Sequence, residues 1–310
     1  MQVPARNPDP SASADAIVEA LETDGIAVAG GLVTPAALKA MQDAFARVLG
    51  QLNWNTARGY QKTDNHRRMV EDILTLDPAF QELALHPRVT EVLGTYLGAD
   101  YVLSEVRGWE TVRTRADFHG WHNDAWYDPT LPEVPREVKL GLYLTDVETG
   151  HFSYIKGTHV NQRHRHWNDG DIAHRAGRIV HVKGKAGTTF LFDTAGIHRQ
   201  STPVLRPRRV VFFNYHDPRI SLQQIDVEAY RYHPLILNAA FLGDLSSEDR
   251  RILGFGNRLK YQPGYAPEPH HRWLQQLFTG AYTLVLGVES ASATMKTGWR
   301  YALRKLRRGA

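Results

Sequence analysis

The chain has 310 residues, enough to bury an enzyme-sized core without a covalent staple, and it contains no cysteine. Disulfides, thiolate zinc sites and cysteine nucleophiles are therefore excluded, and any metal must be held by histidine and carboxylate. The formal net charge of +4 sits at the end of the chain. Ala291–Ala310 carries six basic residues and no acidic one, so residues 1–290 net to about −2 by subtraction, without the basic stripe a nucleic-acid binder needs.

Residues 1–15 are rich in Ala, Pro, Ser and Asp and read as a flexible N-terminus. They lack the basic start and apolar run of a secretory signal, which points to a cytoplasmic protein. Asp15–Glu22 and Pro35–Leu49 read as amphipathic helices; in the second, Leu38, Met41, Phe45, Val48 and Leu49 recur at three-to-four spacing. Between them Gly25–Gly31 reads as a short buried strand. Pro78–Ala84 and Pro87–Leu97 are further helical stretches. From Tyr101 the pattern changes to short β-rich runs separated by Gly, Pro, Asp and Asn. They are Tyr101–Val106, Glu110–Arg115, Val138–Val147, Phe152–Ile155, Arg178–Val182, Thr188–Phe192 and Arg209–His216. That spacing predicts a sandwich or barrel and not alternating βαβ units.

After Asp217 helical patterns return at Leu235–Leu242, Ser246–Leu253 and His270–Phe278. The apolar run Leu274–Val288 is interrupted by Gln275, Gln276 and Gly280, and reads as a packed helix and not a membrane span. The expected organisation is one domain over residues 16–220, followed by a helical extension over 221–310 with a basic tail.

The chemistry-bearing pattern lies within Phe118–Trp126. His122 and Asp124 are two positions apart, so on an extended strand they share a face. A third ligand can come from His198, at the end of the run Thr188–His198. Two histidines and a carboxylate on one face suit Fe(II) and leave coordination positions open for a co-substrate and O2. The triplet alone is weak evidence, because 15 histidines and 33 acids give such spacings by chance. Arg208 and Arg209, which open the apolar strand Val210–Phe213, add a cation suited to the distal carboxylate of 2-oxoglutarate. Strand alternation lets only one of the two face inward.

Four motifs then carry a resemblance. They are Trp121-His-Asn-Asp124, the run Leu140–Val147 followed by Gly150, the turn Tyr154-Ile-Lys-Gly-Thr-His159, and Phe192–His198 with its trailing arginine. In this order, over Tyr101–His216, the chain resembles the phytanoyl-CoA dioxygenase-like branch of the Fe(II)/2-oxoglutarate oxygenases. The resemblance implies a β-rich α+β fold whose core is a double-stranded β-helix (jelly-roll, cupin-like), with flanking N-terminal and C-terminal helices. It implies iron at His122, Asp124 and His198. It also implies 2-oxoglutarate held by an arginine about eleven residues after the distal histidine, which favours Arg209 over Arg208. The implied reaction is hydroxylation of a C–H bond of a small metabolite or biosynthetic intermediate, lipid- or sugar-linked molecules included, with release of succinate and CO2. Related halogenases have Ala or Gly in place of the carboxylate, so Asp124 argues for hydroxylation. His151 and Phe152 depart from the small residues or proline usual after Gly150.

The remaining candidates are weaker. Trp126 and Tyr143 are placed as pocket-wall aromatics, although such residues more often fill cores. His159 is expected to bond backbone, with substrate contact as a lesser reading. His166 belongs to a polar loop cluster, His164–Trp167, of the kind that covers an active-site mouth. His119 precedes Asp124 by five residues, which on a strand puts it on the opposite face, so it is expected behind the ligands or at the surface. Asp193 is expected to cap its strand and order the loop to His198. In the tail, Trp299, Leu303 and Leu306 stand at helical spacing among cations. Peripheral contact with the inner face of a membrane and an ordinary solvated terminus are equal readings there. Oligomeric state is not legible. The competing functions are a cupin-like hydrolase or isomerase using zinc or manganese, which needs no arginine after His198, and a non-catalytic binding module on the same fold.

Overall fold

Helices begin where the sequence supplies caps. The Ser13 hydroxyl accepts from Ala16 N at the start of α1 (Ala14–Asp24), and the Thr34 hydroxyl from Ala37 N at the start of α2 (Pro35–Leu49). Asp77 does the same for α3 (Pro78–Ala84). Proline occupies the first turn of α2, α3 and α4 (Pro87–Leu97), where its missing N–H leaves nothing unpaired. Gly25, at φ 76°, closes α1 with its N–H on the Leu21 carbonyl and turns the chain into β1 (Ile26–Ala29). The computed structural model describes residues 12–50, 67–70, 73–117, 119–124, 136–160, 166–217 and 246–253.

The remaining strands are β2 (Arg67–Val70), β3 (Val102–Thr111), β4 (Trp121–His122), β5 (Glu137–Tyr143), β6 (Val147–Ile155), β7 (His166–Trp167), β8 (Ile179–Gly184), β9 (Thr189–Asp193), β10 (His198–Gln200) and β11 (Arg208–His216). Two short helices, α5 (Asp169–Ile172) and α6 (Ser247–Ile252), complete the described elements of this kind. One sheet runs β1-β9-β5-β11-β3-β2 and the other β7-β4-β10-β6-β8. Every pairing is antiparallel. The fold is thus β-rich α+β with antiparallel sheets, as the resemblance implied.

Between the sheets lies an apolar cluster of Ile26, Tyr143, Phe152, Tyr154, Phe190, Phe192 and Val210. The opposite face of the six-stranded sheet, through Leu140, Leu142, Leu191, Val211 and Phe213, packs with α1 to α4 via Leu21, Phe45, Phe80 and Leu93. Each such side chain contributes about 1.5–3 kcal/mol on burial. Close approach is built in: a Cβ at Gly141 would run into the Phe190 ring.

The strand boundaries differ from the sequence reading in four places. Tyr101–Val106 and Glu110–Arg115 merge into the single strand β3. The run Val138–Val147 breaks after Tyr143, where β5 turns into β6. His166 and Trp167 are not loop but strand, paired with His122 and Trp121. β2, read as no element at all, pairs with β3. The helix expected over Ser246–Leu253 is present as α6, whereas Leu235–Leu242, His270–Phe278, Leu274–Val288 and the basic tail lie outside the described residues. Among the described residues no helix is long and apolar enough to cross a membrane.

Candidate metal centre

β4 and β10 are neighbours in the smaller sheet, with His122 and His198 in register. The chain leaves β4 so that Asp124 N donates to the Thr194 carbonyl at 2.9 Å, which ties the carboxylate to the loop leading into β10. Ligand atoms of His122, Asp124 and His198 all lie within 4.8 Å of one another. The two imidazole rings are 4.5 Å apart between centroids, and each Nε2 is 3.6 Å from an Asp124 oxygen.

The tautomers follow from the partners. His122 Nδ1 lies 3.0 Å from the Gly120 carbonyl and His198 Nδ1 lies 2.8 Å from the Gly196 carbonyl. A carbonyl only accepts, so each Nδ1 carries the proton and each Nε2 lone pair is left for the centre. Burial, with His198 adding to it, pulls the His122 pKa down to about 3, so this ring is neutral at physiological pH. Burial works against the Asp124 charge. Lys139, whose Nζ donates to Oδ2 at 2.6 Å, together with the histidines nevertheless holds the carboxyl well below its usual range. Two imidazole Nε2 donors and an ionised carboxylate fit Fe(II), and the same set accepts other divalent ions.

The loop that carries His198 is held from below. Asp193 accepts from Ala195 N at 2.9 Å and from the Tyr96 hydroxyl at 2.8 Å, the capping role expected of it. Tyr154 donates to the Asp193 carbonyl at 2.9 Å, and its ring stacks on His198 at 6.4 Å and 9°.

The two arginines separate. Val210 and Phe212 pack with the intersheet cluster while Val211 and Phe213 pack with the helix-side core, and this alternation carries Arg208 inward. Arg208 is 2% exposed, lies 5.5 Å from the Tyr143 ring centroid and hydrogen-bonds that tyrosine's hydroxyl. Arg209 turns to the other face and donates through Nε to Glu110 Oε2 at 2.7 Å. The expectation that Arg209 is the inward member is thereby corrected to Arg208. Among the described residues no carboxylate pairs with Arg208, and its Nε has no partner. A buried guanidinium left this way costs several kcal/mol unless an anion joins it. Tyr143 links it to the metal ligands: its hydroxyl accepts from Phe152 N at 2.9 Å, and the Phe152 ring is 5.4 Å from His198.

A model of the phytanoyl-CoA dioxygenase family matches residues 21–203, more than half of the chain. The chain belongs to the phytanoyl-CoA dioxygenase family. Among curated proteins none matches its sequence. Several solved structures share the fold of this family member. EctD from S. alaskensis, with 2-oxoglutarate and 5-hydroxyectoine, has a TM-score of 0.53 and 20% identity, covering 71% of this chain and 80% of its own. The non-heme alpha ketoglutarate dependent carbocyclase SnoK from nogalamycin biosynthesis has a TM-score of 0.52 and 17% identity, covering 68% and 87%. AviO1 from Streptomyces viridochromogenes Tue57 has a TM-score of 0.50 and 18% identity, covering 67% and 97%.

The other candidate residues of this phytanoyl-CoA dioxygenase family member fall as follows. Tyr143 is fully buried beside Arg208, with its hydroxyl donating to the Val182 carbonyl. His159 donates through Nε2 to the Glu22 carbonyl at the end of α1, a backbone bond as expected. His166 is exposed on β7, opposite His122. Trp126 lies outside the described residues. One neighbour of the centre, His119, was expected behind the ligands or at the surface, and a second was missed. His119 sits 5.0 Å from His122 ring to ring, because Gly120 at φ 62° breaks the strand alternation that would have sent it away. Lys139 is the neighbour that was missed, and its signal was a lone cation in the otherwise apolar run Val138–Tyr143.

Proposed function

We propose that this protein is an Fe(II)- and 2-oxoglutarate-dependent oxygenase with a double-stranded β-helix core, hydroxylating a C–H bond of a small metabolite or biosynthetic intermediate. The observation that carries the reading is the buried Arg208 guanidinium, which has no carboxylate partner among the described residues and is enclosed between the same sheets as His122, Asp124 and His198. A three-donor centre alone serves hydrolases and isomerases equally, whereas a buried cation on the same interior needs an anion as well. The order β3-β11-β5-β9 in one sheet and β4-β10-β6-β8 in the other supports the double-stranded β-helix.

In this reading His122, Asp124 and His198 hold the metal, and Arg208 takes the distal carboxylate of 2-oxoglutarate in bidentate fashion. When bound, Fe(II), 2-oxoglutarate and O2 supply the oxidising power for C–H bond cleavage, with succinate and CO2 released. The chain's own contribution is placement and dryness. Phe152, Phe192 and Phe212 enclose the interior beside His198 and exclude water. Asp124 keeps the carboxylate ligand in place, which favours hydroxylation over halide transfer. The test is anaerobic Fe(II) loading followed by exposure to O2 and assay for succinate. Arg208→Gln is the control: a zinc or manganese hydrolase or isomerase retains activity in that variant, and the oxygenase loses it.

A further inference from the structure

An ammonium group on the inner face of a buried strand carries a desolvation cost of several kcal/mol unless opposite charge meets it. Lys139 lies in the middle of β5, on the alternation face of Gly141 and Tyr143, with 18% of its side chain exposed. Its Nζ donates to Asp124 Oδ2 at 2.6 Å. Glu137 and Glu105 supply further negative charge around it, and Glu105 is itself paired with Arg107.

We propose that Lys139 is a positioning residue for the metal centre: it holds Asp124 to ligation through one oxygen and keeps the loaded site cationic enough to admit a dianionic co-substrate. The inference rests on the oxygenase reading above. Two effects act in the same direction. A carboxylate free to place both oxygens on the metal occupies a position the co-substrate needs, and the Nζ–Oδ2 bond opposes this. Charge does the rest: Asp124, Lys139 and a divalent ion sum to +2, and without the lysine to +1. Losing Lys139 therefore weakens binding of a dicarboxylate while favouring the ion, since the removed charge repels a cation. A lysine with only a structural role gives a different result, because both affinities then fall together with thermal stability.

The experiment uses the full chain, wild type and Lys139→Met, kept anaerobic. Fe(II) is titrated first, and then 2-oxoglutarate, followed by the visible charge-transfer band of the Fe(II)·2-oxoglutarate complex. The expected result is Fe(II) affinity at least equal to wild type, with 2-oxoglutarate affinity reduced roughly tenfold or more. Lys139→Gln, which keeps an N–H toward Oδ2 and loses the charge, is the second variant should the first not fold, and it shows the same loss in smaller measure. Lys139→Arg restores most of the affinity. Unchanged 2-oxoglutarate affinity in the variants, or Fe(II) and 2-oxoglutarate affinities falling in parallel, overturns the role of Lys139. A wild-type protein that shows no band with Fe(II) and 2-oxoglutarate overturns the oxygenase reading, and this inference with it.

Discussion

Arg208 and Arg209 are adjacent on β11 and point to opposite faces of the sheet, one into the space between the sheets beside Tyr143, the other outward to Glu110. Arg209 shares Glu110 with Arg68, so a carboxylate only 3% exposed is compensated by two cations. Among the described residues Arg208 has no such acid.

Two substitutions at this pair should have opposite signatures. Arg208→Gln removes an unpaired buried charge, leaves thermal stability unchanged or raised, and raises the KM for 2-oxoglutarate by at least about 30-fold, the effect of about 2 kcal/mol. Arg209→Gln leaves that KM near wild type and lowers stability by about 1–3 kcal/mol, because Glu110 loses one partner. Steady-state kinetics and chemical denaturation of both variants check this. A raised KM in Arg209→Gln alone would return the anchor to that residue.

Gly196 is expected to tolerate no side chain. Its carbonyl orients His198, and a Cβ there would collide with the Tyr154 hydroxyl, which is fully buried. Gly196→Ala should cost about 1–3 kcal/mol by overpacking and lower metal affinity by about tenfold or more through the displaced carbonyl. Thermal melting and a Co(II) titration test the two parts separately. Metal affinity equal to wild type would show that this carbonyl does not set the His198 ring.

Acid sensitivity should have one identifiable contribution from His216. Both of its ring nitrogens are buried without a hydrogen-bond partner among the described residues, and burial pulls its pKa down to about 4 from the ordinary 6.5. The folded state binds its proton more weakly than the unfolded state does. Its contribution is therefore intact above the unfolded value and is lost as pH falls from about 6.5 to about 4. Between about pH 7 and about pH 5, the wild type should lose about 2 kcal/mol more than His216→Phe in urea denaturation. Parallel losses in the two proteins would show that His216 titrates normally.

The sequence carried the centre more clearly than its surroundings. His122, Asp124 and His198 stood in motifs with fixed spacing, and the three-to-four spacing of Leu38, Met41, Phe45 and Val48 marked α2. The facing of Arg208 and Arg209 was not legible, because β11 is covered on both sides. Val210, Val211, Phe212 and Phe213 are all apolar, so no alternation marks the inner face. β2 was invisible for a related reason. Arg67 and Arg68 make it look like loop, yet one stacks on Trp109 at 3.8 Å and the other pairs with Glu110. Lys139 was obscured by its chemistry: a strand-interior lysine reads as an exposed position until the partner carboxylate from β4's end is brought beside it. β4 itself is two residues long, too short for any periodicity to register.

The central claim is that His122, Asp124 and His198 hold an iron that consumes 2-oxoglutarate. The most direct measurement is succinate formation by Fe(II)-loaded protein exposed to O2, wild type against His122→Ala, with retained iron quantified in each. The account predicts iron-dependent succinate from the wild type, and loss of both iron and succinate in the variant. Succinate undiminished in His122→Ala, or wild-type protein that binds Fe(II) yet forms no succinate and shows no charge-transfer band with 2-oxoglutarate, would contradict it.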